Sequence, residues 1–461
     1  SGSPGVPCAG KNVAPVADPV HEETVVVVGG GWAGLAAAVE LTHAGIPVIL
    51  IESARQLGGR ARCVRFGELR VDNGQHILLG AYREWLGLLQ HIGLEERQVV
   101  RRLPLELEMM GARDPGLHLH TPALPAPLHL LAGLLSARGL TLRERLAALR
   151  FGYRLARSRP SPEQDRSVAT LLREHRQPAR LIRLLWEPLC LAALNTPIEI
   201  ASAHLFLQVL RESFLHRRRD SDLLLPVTDL GSALPEPALH YIERHGGQVW
   251  LNRRVSGLRL SGTRLEGVEL GDEFLPARQL VLAVNPVMCR RLLSPHAPFT
   301  DLVRGLVRLE YQPITTLYLR YPETVRLPRP MLGLLDGPGQ WVFDRGLAGQ
   351  PGLMAVVISA AGAHMAQNNE ALGNAVGRQL AELFPHWPAA GERMVIREKR
   401  ATFASQVGVE ALRPGSATPV AGCWLAGDFT ATGLPGTLEG AVLSGRACAR
   451  GILRQQGGKS V

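Results

Sequence analysis

Lysine is nearly absent from this chain of 461 residues: Lys11, Lys399 and Lys459 are three of its 51 basic residues. Its net charge of +10 is therefore carried almost wholly by guanidinium groups. Cysteines 8, 63, 190, 289, 423 and 448 are scattered, with no Cys-x-x-Cys and no histidine at ligand spacing. That pattern predicts a reduced, cytoplasmic protein with no metal site. No run of about 20 apolar residues occurs, which excludes a transmembrane helix by hydropathy. Aromatic residues make up 5% and form no stacking platforms, so the positive charge does not read as nucleic-acid binding. An anionic membrane surface suits it better. Charged residues at 20% against 46% hydrophobic residues exclude a disordered or fibrous chain. The length suits two or three domains.

Glycine is plentiful and placed. Val25 to Val28 run into Gly29-x-Gly31-x-x-Gly34, a buried strand turning sharply into a helix that extends to about His43. Gly29 permits the turn, Gly31 lets backbone N–H groups approach a pyrophosphate, and Gly34 lets helix and strand lie close. The helix N-terminus, with Trp32 and Ala33, faces the anion. A second strand, Pro47 to Ile51, ends at Glu52, 18 residues past Gly34, where a carboxylate suits ribose hydroxyls. Gly58-Gly59-Arg60-Ala61-Arg62 then reads either as a cap on a diphosphate or as a solvated basic turn. Cys63 to Val71 alternates as a strand pair about Gly67 and leads into Asp72-Asn73-Gly74-Gln75-His76.

Prolines 104, 115, 122, 125 and 127 mark a domain crossing. Across 141–158, Leu142, Leu146, Leu149 and Tyr153 form one helical stripe, and Arg143, Arg150, Arg154 and Arg157 a neighbouring one. Such a helix rests on a bilayer, or packs on the protein by its leucines. Residues 167–215 read as helices broken at Pro178, Pro188 and Pro197, walling an apolar tunnel or filling a core. Strands are expected at 223–227, 248–252, 254–260, 279–284, 306–320 and 354–361, with helices over 233–245 and 363–384. Near the C-terminus, Trp424-Leu425-Ala426-Gly427-Asp428 ends a strand on a carboxylate. Gly436-Thr437-Leu438-Glu439-Gly440 then opens a small-residue helix aimed at an anion.

Taken together, the first glycine turn, the Gly-Gly-Arg segment and the Gly427-Asp428 segment resemble FAD proteins of the amine oxidase and phytoene desaturase superfamily. The resemblance implies an α/β fold in which a Rossmann-like FAD domain is interleaved with a substrate domain of mixed sheet and helices. It assigns noncovalent FAD to Gly29, Gly31, Trp32, Ala33, Gly34, Glu52, Ser53, Gly59, Arg60, Asn73, Gly74, Gln75, Val255, Gly427, Asp428, Gly436, Thr437 and Leu438. The expected parts are a disordered leader (1–21), FAD segments 22–105, 222–300 and 392–455, a helical substrate and membrane part (106–221), a substrate sheet (301–391) and a disordered tail (456–461).

The segments 72–84 (DNGQHILLGAYRE), 189–197 (LCLAALNTP) and 221–230 (SDLLLPVTDL) look more narrowly like the hydroxysqualene dehydroxylases of bacterial hopanoid biosynthesis. That resemblance implies reduction of hydroxysqualene to squalene by hydride from reduced flavin. Loss of hydroxide leaves a carbocation that hydride quenches where water is excluded. His76, then Glu439 and Glu310, are the candidate proton donors. Implied partners are a long isoprenoid, a membrane surface at the inner face of the cytoplasmic membrane, an external electron donor and the preceding squalene-pathway enzymes. Rival readings are a carotenoid-type desaturase or isomerase, an amine oxidase, weakened because those enzymes commonly use a lysine near the flavin, and a prenyl-binding protein without catalysis.

Overall fold

A computed structural model describes residues 23–157 and 161–457; the leader at 1–21 and residues 458–461 lie outside them. One layer is a five-stranded parallel sheet in the order Gln248–Trp250, Val48–Ile51, Val25–Val28, Gln279–Leu282 and Cys423–Leu425. Its inner strands Val25–Val28 and Val48–Ile51 are wholly aliphatic and buried because both faces are covered, as a parallel sheet requires. The helix Trp32–His43 is buried almost all round, since the C-terminal helix Leu438–Gly457 covers its outer side. Gly445 permits that approach: a Cβ there would fall 2.0 Å from the Ala33 carbonyl oxygen. This helix runs two residues into the segment expected to be a disordered tail.

A second layer is a seven-stranded mixed sheet in the order Arg393–Phe403, Tyr311–Arg320, Leu353–Ser359, Trp341–Asp344, Met331–Leu334, Glu106–Met110 and Leu117–His120. All its pairs are antiparallel except 331–334 with 106–110. The α/β architecture with a mixed second sheet is thus as the sequence led us to expect. Four local expectations change. The segment 106–221 is not purely helical but supplies two strands to this sheet, and Arg393–Phe403 belongs here and not to the nucleotide-binding part. Residues 306–310 do not join the strand expected at 306–320, because the amphipathic helix Thr300–Val307 ends there and the strand starts at Tyr311. Pro188 does not break its helix. The turn before it widens to a π-helix over Ile182–Trp186, which absorbs the missing N–H, and the helix continues to Leu194.

Candidate active site

Between the two layers lies a cavity of about 1430 Å³. Single small-molecule sites span about 300–1,000 Å³, so this one has room for a dinucleotide and a further ligand. Its walls divide chemically. One half is built from turns that the glycines make possible. Gly29 sits at φ +108° and a Cβ there would lie 2.4 Å from the Ala283 carbonyl oxygen; at Gly34 a Cβ would lie 1.9 Å from the Gly29 oxygen. Gly34 is accordingly beneath the cavity and not on its wall. The N-terminus of helix Trp32–His43 carries no side-chain cap, and Gly31, Trp32 and Ala33 line the cavity. Free N–H groups at an uncapped helix start form an anion site.

Glu52 closes the turn: one carboxylate oxygen accepts the Gly30 N–H at 2.7 Å and the other the Ala54 N–H at 2.7 Å. Both oxygens keep acceptor capacity for hydroxyl groups. Ser53 is exposed at the rim, and Val255 is buried in the wall. From the opposite end of the chain come Gly427, Asp428, Gly436, Thr437 and Leu438 at the start of the C-terminal helix, so two helix N-termini meet the same space. Arg60 spans the site, donating to Asp428 at 2.6 Å and to the Ala401 carbonyl at 2.6 Å. Arg413, which the sequence reading passed over, holds the Asp428 segment from behind by donating to the carbonyl oxygens of Asp428 and Thr430.

Asn73, Gly74, Gln75 and His76 line the junction between the two halves. This loop is fastened by buried groups distant in sequence. Arg345 donates to Gln75 Oε1 at 2.9 Å and lies 3.4 Å from Asp72. Asp72 also accepts the Leu230 N–H at 2.7 Å, and Tyr318 donates to the Asp72 carbonyl oxygen at 2.9 Å. Burial pushes the Asp72 carboxyl up to about 6, against the pull of Arg345. Burial, and then the charge on Arg60, hold His76 down to about 4, so its ring is neutral at pH 7.

The other half of the cavity is apolar, walled by Leu107, Leu189, Val209, Met331, Trp341 and Phe343 among others. The helices of 167–215 therefore do line a chamber. Asn195 locks them to the second sheet from φ +49°: its side chain donates to Thr402 Oγ1 at 3.0 Å and accepts the Ala360 N–H at 2.7 Å.

Two catalytic candidates are displaced. Glu310 is exposed and does not line the cavity. It lies in the link between the helix Thr300–Val307 and the strand that begins at Tyr311, one residue before the strand reaches the cavity wall. Glu439 does reach the wall, but its carboxylate oxygens accept the N–H groups of Glu84 and Trp85 at 2.9 and 3.0 Å. Burial pushes it up to about 7, while its position makes it a tie between the starts of two helices. Lys399, alone of its type among the described residues, is exposed and off the cavity wall. Among those residues no cluster of His, Cys, Asp or Glu could hold a metal ion.

The model of the family described as flavin containing amine oxidoreductase matches residues 32–453. The chain belongs to that family. This flavin oxidoreductase is 28% identical over 451 residues to the hydroxysqualene dehydroxylase of Sinorhizobium fredii, an alignment covering 93% of this chain and 97% of that one. It is 27% identical to the enzyme of the same name from Zymomonas mobilis, over 92% and 97% of the two chains. A probable zeta-carotene desaturase of Synechococcus elongatus is 24% identical, over 94% and 99%. Among solved structures, cyclohexylamine oxidase from Brevibacterium oxydans superposes with TM-score 0.70 at 18% identity, over 94% and 99% of the chains. An oxidoreductase from Methanosarcina mazei does so with TM-score 0.73 at 15%, over 93% and 100%. The protein is an FAD-dependent oxidoreductase. The uncapped helix start, the Glu52 carboxylate and the Arg60 to Asp428 span fit that cofactor.

Proposed function

We propose that this enzyme converts hydroxysqualene to squalene by reductive loss of the hydroxyl group. The observation that carries the reading is the cavity itself, in which the FAD cradle opens directly onto a deep apolar chamber that presents no lysine. A long hydrocarbon is bound there by burial of its apolar surface, and the same walls keep water from a developing carbocation. The reaction replaces a C–O bond with C–H: substrate receives one hydride and one proton, and water leaves. Bound reduced FAD supplies the hydride, and an external donor restores two electrons per turnover.

The chain's own contribution centres on His76, at the junction between cradle and chamber. As a neutral imidazole it donates a hydrogen bond from one ring N–H to the departing oxygen, while the proton that leaves in water is drawn in the net reaction from solvent; the ring is held in place by the loop that Arg345 and Asp72 fasten. Similarity to the two hydroxysqualene dehydroxylases supports the substrate, and similarity to the zeta-carotene desaturase supports the isoprenoid class.

The test is an anaerobic half-reaction in which enzyme with reduced flavin is mixed with hydroxysqualene. Return of oxidised-flavin absorbance with stoichiometric squalene is the expected result. In the same assay His76→Ala transfers at least tenfold more slowly. If the flavin stays reduced, and the oxidised enzyme instead desaturates an isoprenoid, the proposal fails in favour of a desaturase.

A further inference from the structure

Seven of the eleven large hydrophobic side chains exposed among the described residues fall between 124 and 153. Leu124, Leu128, Leu131 and Leu135 follow a 4-3-4 spacing into and along the helix Leu128–Ser136, each 40–50% exposed. In the adjoining helix Leu142–Arg157 the stripe of Leu142, Leu146 and Tyr153 also faces outward, with Leu142 at 68% and Tyr153 at 63% exposed. That helix packs inward by Ala148, Phe151 and Leu155 instead. Leu142, Leu146 and Tyr153 of the stripe thus do not pack on the protein, while Leu149 is half-buried.

The surrounding charge selects what covers this face. Arg138, Arg143, Arg150, Arg154 and Arg157 are exposed, and among the described residues none of them meets a carboxylate. The sole carboxylate in residues 121–157 is Glu144, which is buried and accepts the Thr141 N–H at 2.8 Å. A protein partner matching this face would need an apolar centre inside an acidic rim. An anionic bilayer offers the same combination continuously, with acyl chains for the leucines and phosphates for the guanidiniums.

We infer that the paired helices Leu128–Ser136 and Leu142–Arg157 dock this enzyme on the surface of a bilayer rich in anionic lipid. The face also lies one helix from the apolar chamber. Ala203–Phe214, which contributes Val209, Leu210 and Phe214 to the cavity wall, is tied to the outer helix by the Arg211 guanidinium donating to the Leu155 carbonyl at 2.8 Å. Docking there sets the bilayer one helix away from the wall of the apolar chamber.

The inference rests on the exposed face and not on the reaction proposed above, so its readout is vesicle sedimentation of the FAD-loaded enzyme. The wild type pellets with vesicles of phosphatidylcholine and phosphatidylglycerol, less with phosphatidylcholine alone, and less again as salt rises. Arg143→Glu with Arg150→Glu lowers the bound fraction at least tenfold. Leu131→Ser, Leu135→Ser, Leu142→Ser and Leu146→Ser together abolish binding, with FAD absorbance unchanged because these side chains are exposed. Should the serine variant lose FAD, the arginine pair decides alone. Wild-type enzyme that ignores anionic vesicles, arginine variants that bind like wild type, or a dimer in sedimentation velocity that the serine changes dissolve would each overturn the inference.

Discussion

Gly31 and Gly34 stand three residues apart in one turn and do different work. At Gly34 a Cβ would fall 1.9 Å from the Gly29 carbonyl oxygen, whereas at Gly31 the nearest atom to a Cβ, the Gly59 Cα, lies 4.0 Å away. Gly31 also has φ −74° and ψ 176°, a backbone open to any residue. Gly34→Ala therefore strains the fold itself, at a cost of about 1–3 kcal/mol or more. Gly31→Ala leaves the flavin-free protein within about 0.5 kcal/mol of wild type, yet puts a methyl group where the pyrophosphate approaches. Chemical unfolding of both flavin-free variants, beside FAD titrations, separates the two effects. The expected pattern is a stable Gly31→Ala protein binding FAD at least tenfold more weakly, a loss of about 1.4 kcal/mol. If Gly31→Ala bound FAD as wild type does, the cradle would be misplaced.

At the scale of elements, the loop carrying Asn73 to His76 owes its position to the buried pair of Arg345 and Asp72. Asp72 Oδ2 is buried with no hydrogen-bond partner and lies 3.4 Å from Arg345 Nη1, so that guanidinium is the charge that compensates it. Removing one partner of such a pair costs about 3–5 kcal/mol. Arg345→Met leaves Asp72 uncompensated and drives its pKa above about 6. Because a carboxyl raised above its unfolded value stabilises the fold at low pH and loses that contribution as pH rises through the folded value, the penalty is larger at pH 8 than at pH 5. Asp72→Asn in the same chain recovers most of it. Equal penalties at both pH values would refute the pairing.

These fastenings also mark where sequence reading stops. The loop itself was legible, as were the glycine turns and Asp428, because each is a local pattern of a few residues. Arg345 was not, since 270 residues separate it from Gln75, and Asn195 bonds Thr402 across 207. The leucine stripe of 142–153 showed its period but not its direction, because the side that packs is chosen by Phe151 against Trp186 and His175, contacts between separate helices. Glu310 failed for a related reason: the expected strand begins five residues later than its sequence pattern suggested, at Tyr311, which leaves Glu310 in the exposed link before it.

Across the whole molecule, the chain enters the parallel sheet at 25–51, leaves it, returns at 248–282 and returns again at 423–425. Strands of the seven-stranded sheet are supplied in the intervals, at 106–120 and 311–403, so no single crossing separates the two layers. The cavity is lined from all three of these visits and from Ala401 and Thr402 at the edge of the second sheet, so FAD bound there would add its binding free energy to the stability of both layers. A ligand that binds only the folded state stabilises by about 1.4 kcal/mol for each tenfold rise in its concentration above Kd. Tryptophans report the layers separately: Trp32 and Trp85 stack at 6.3 Å beside the glycine turn, while Trp341 lies in the seven-stranded sheet. In single-tryptophan variants the two signals are expected to melt in one transition that moves upward together as FAD is added. If the Trp341 signal melted first, at a temperature indifferent to FAD, the second sheet would be an independent folding unit. The interleaved strands would then be a matter of connectivity and not of cooperation.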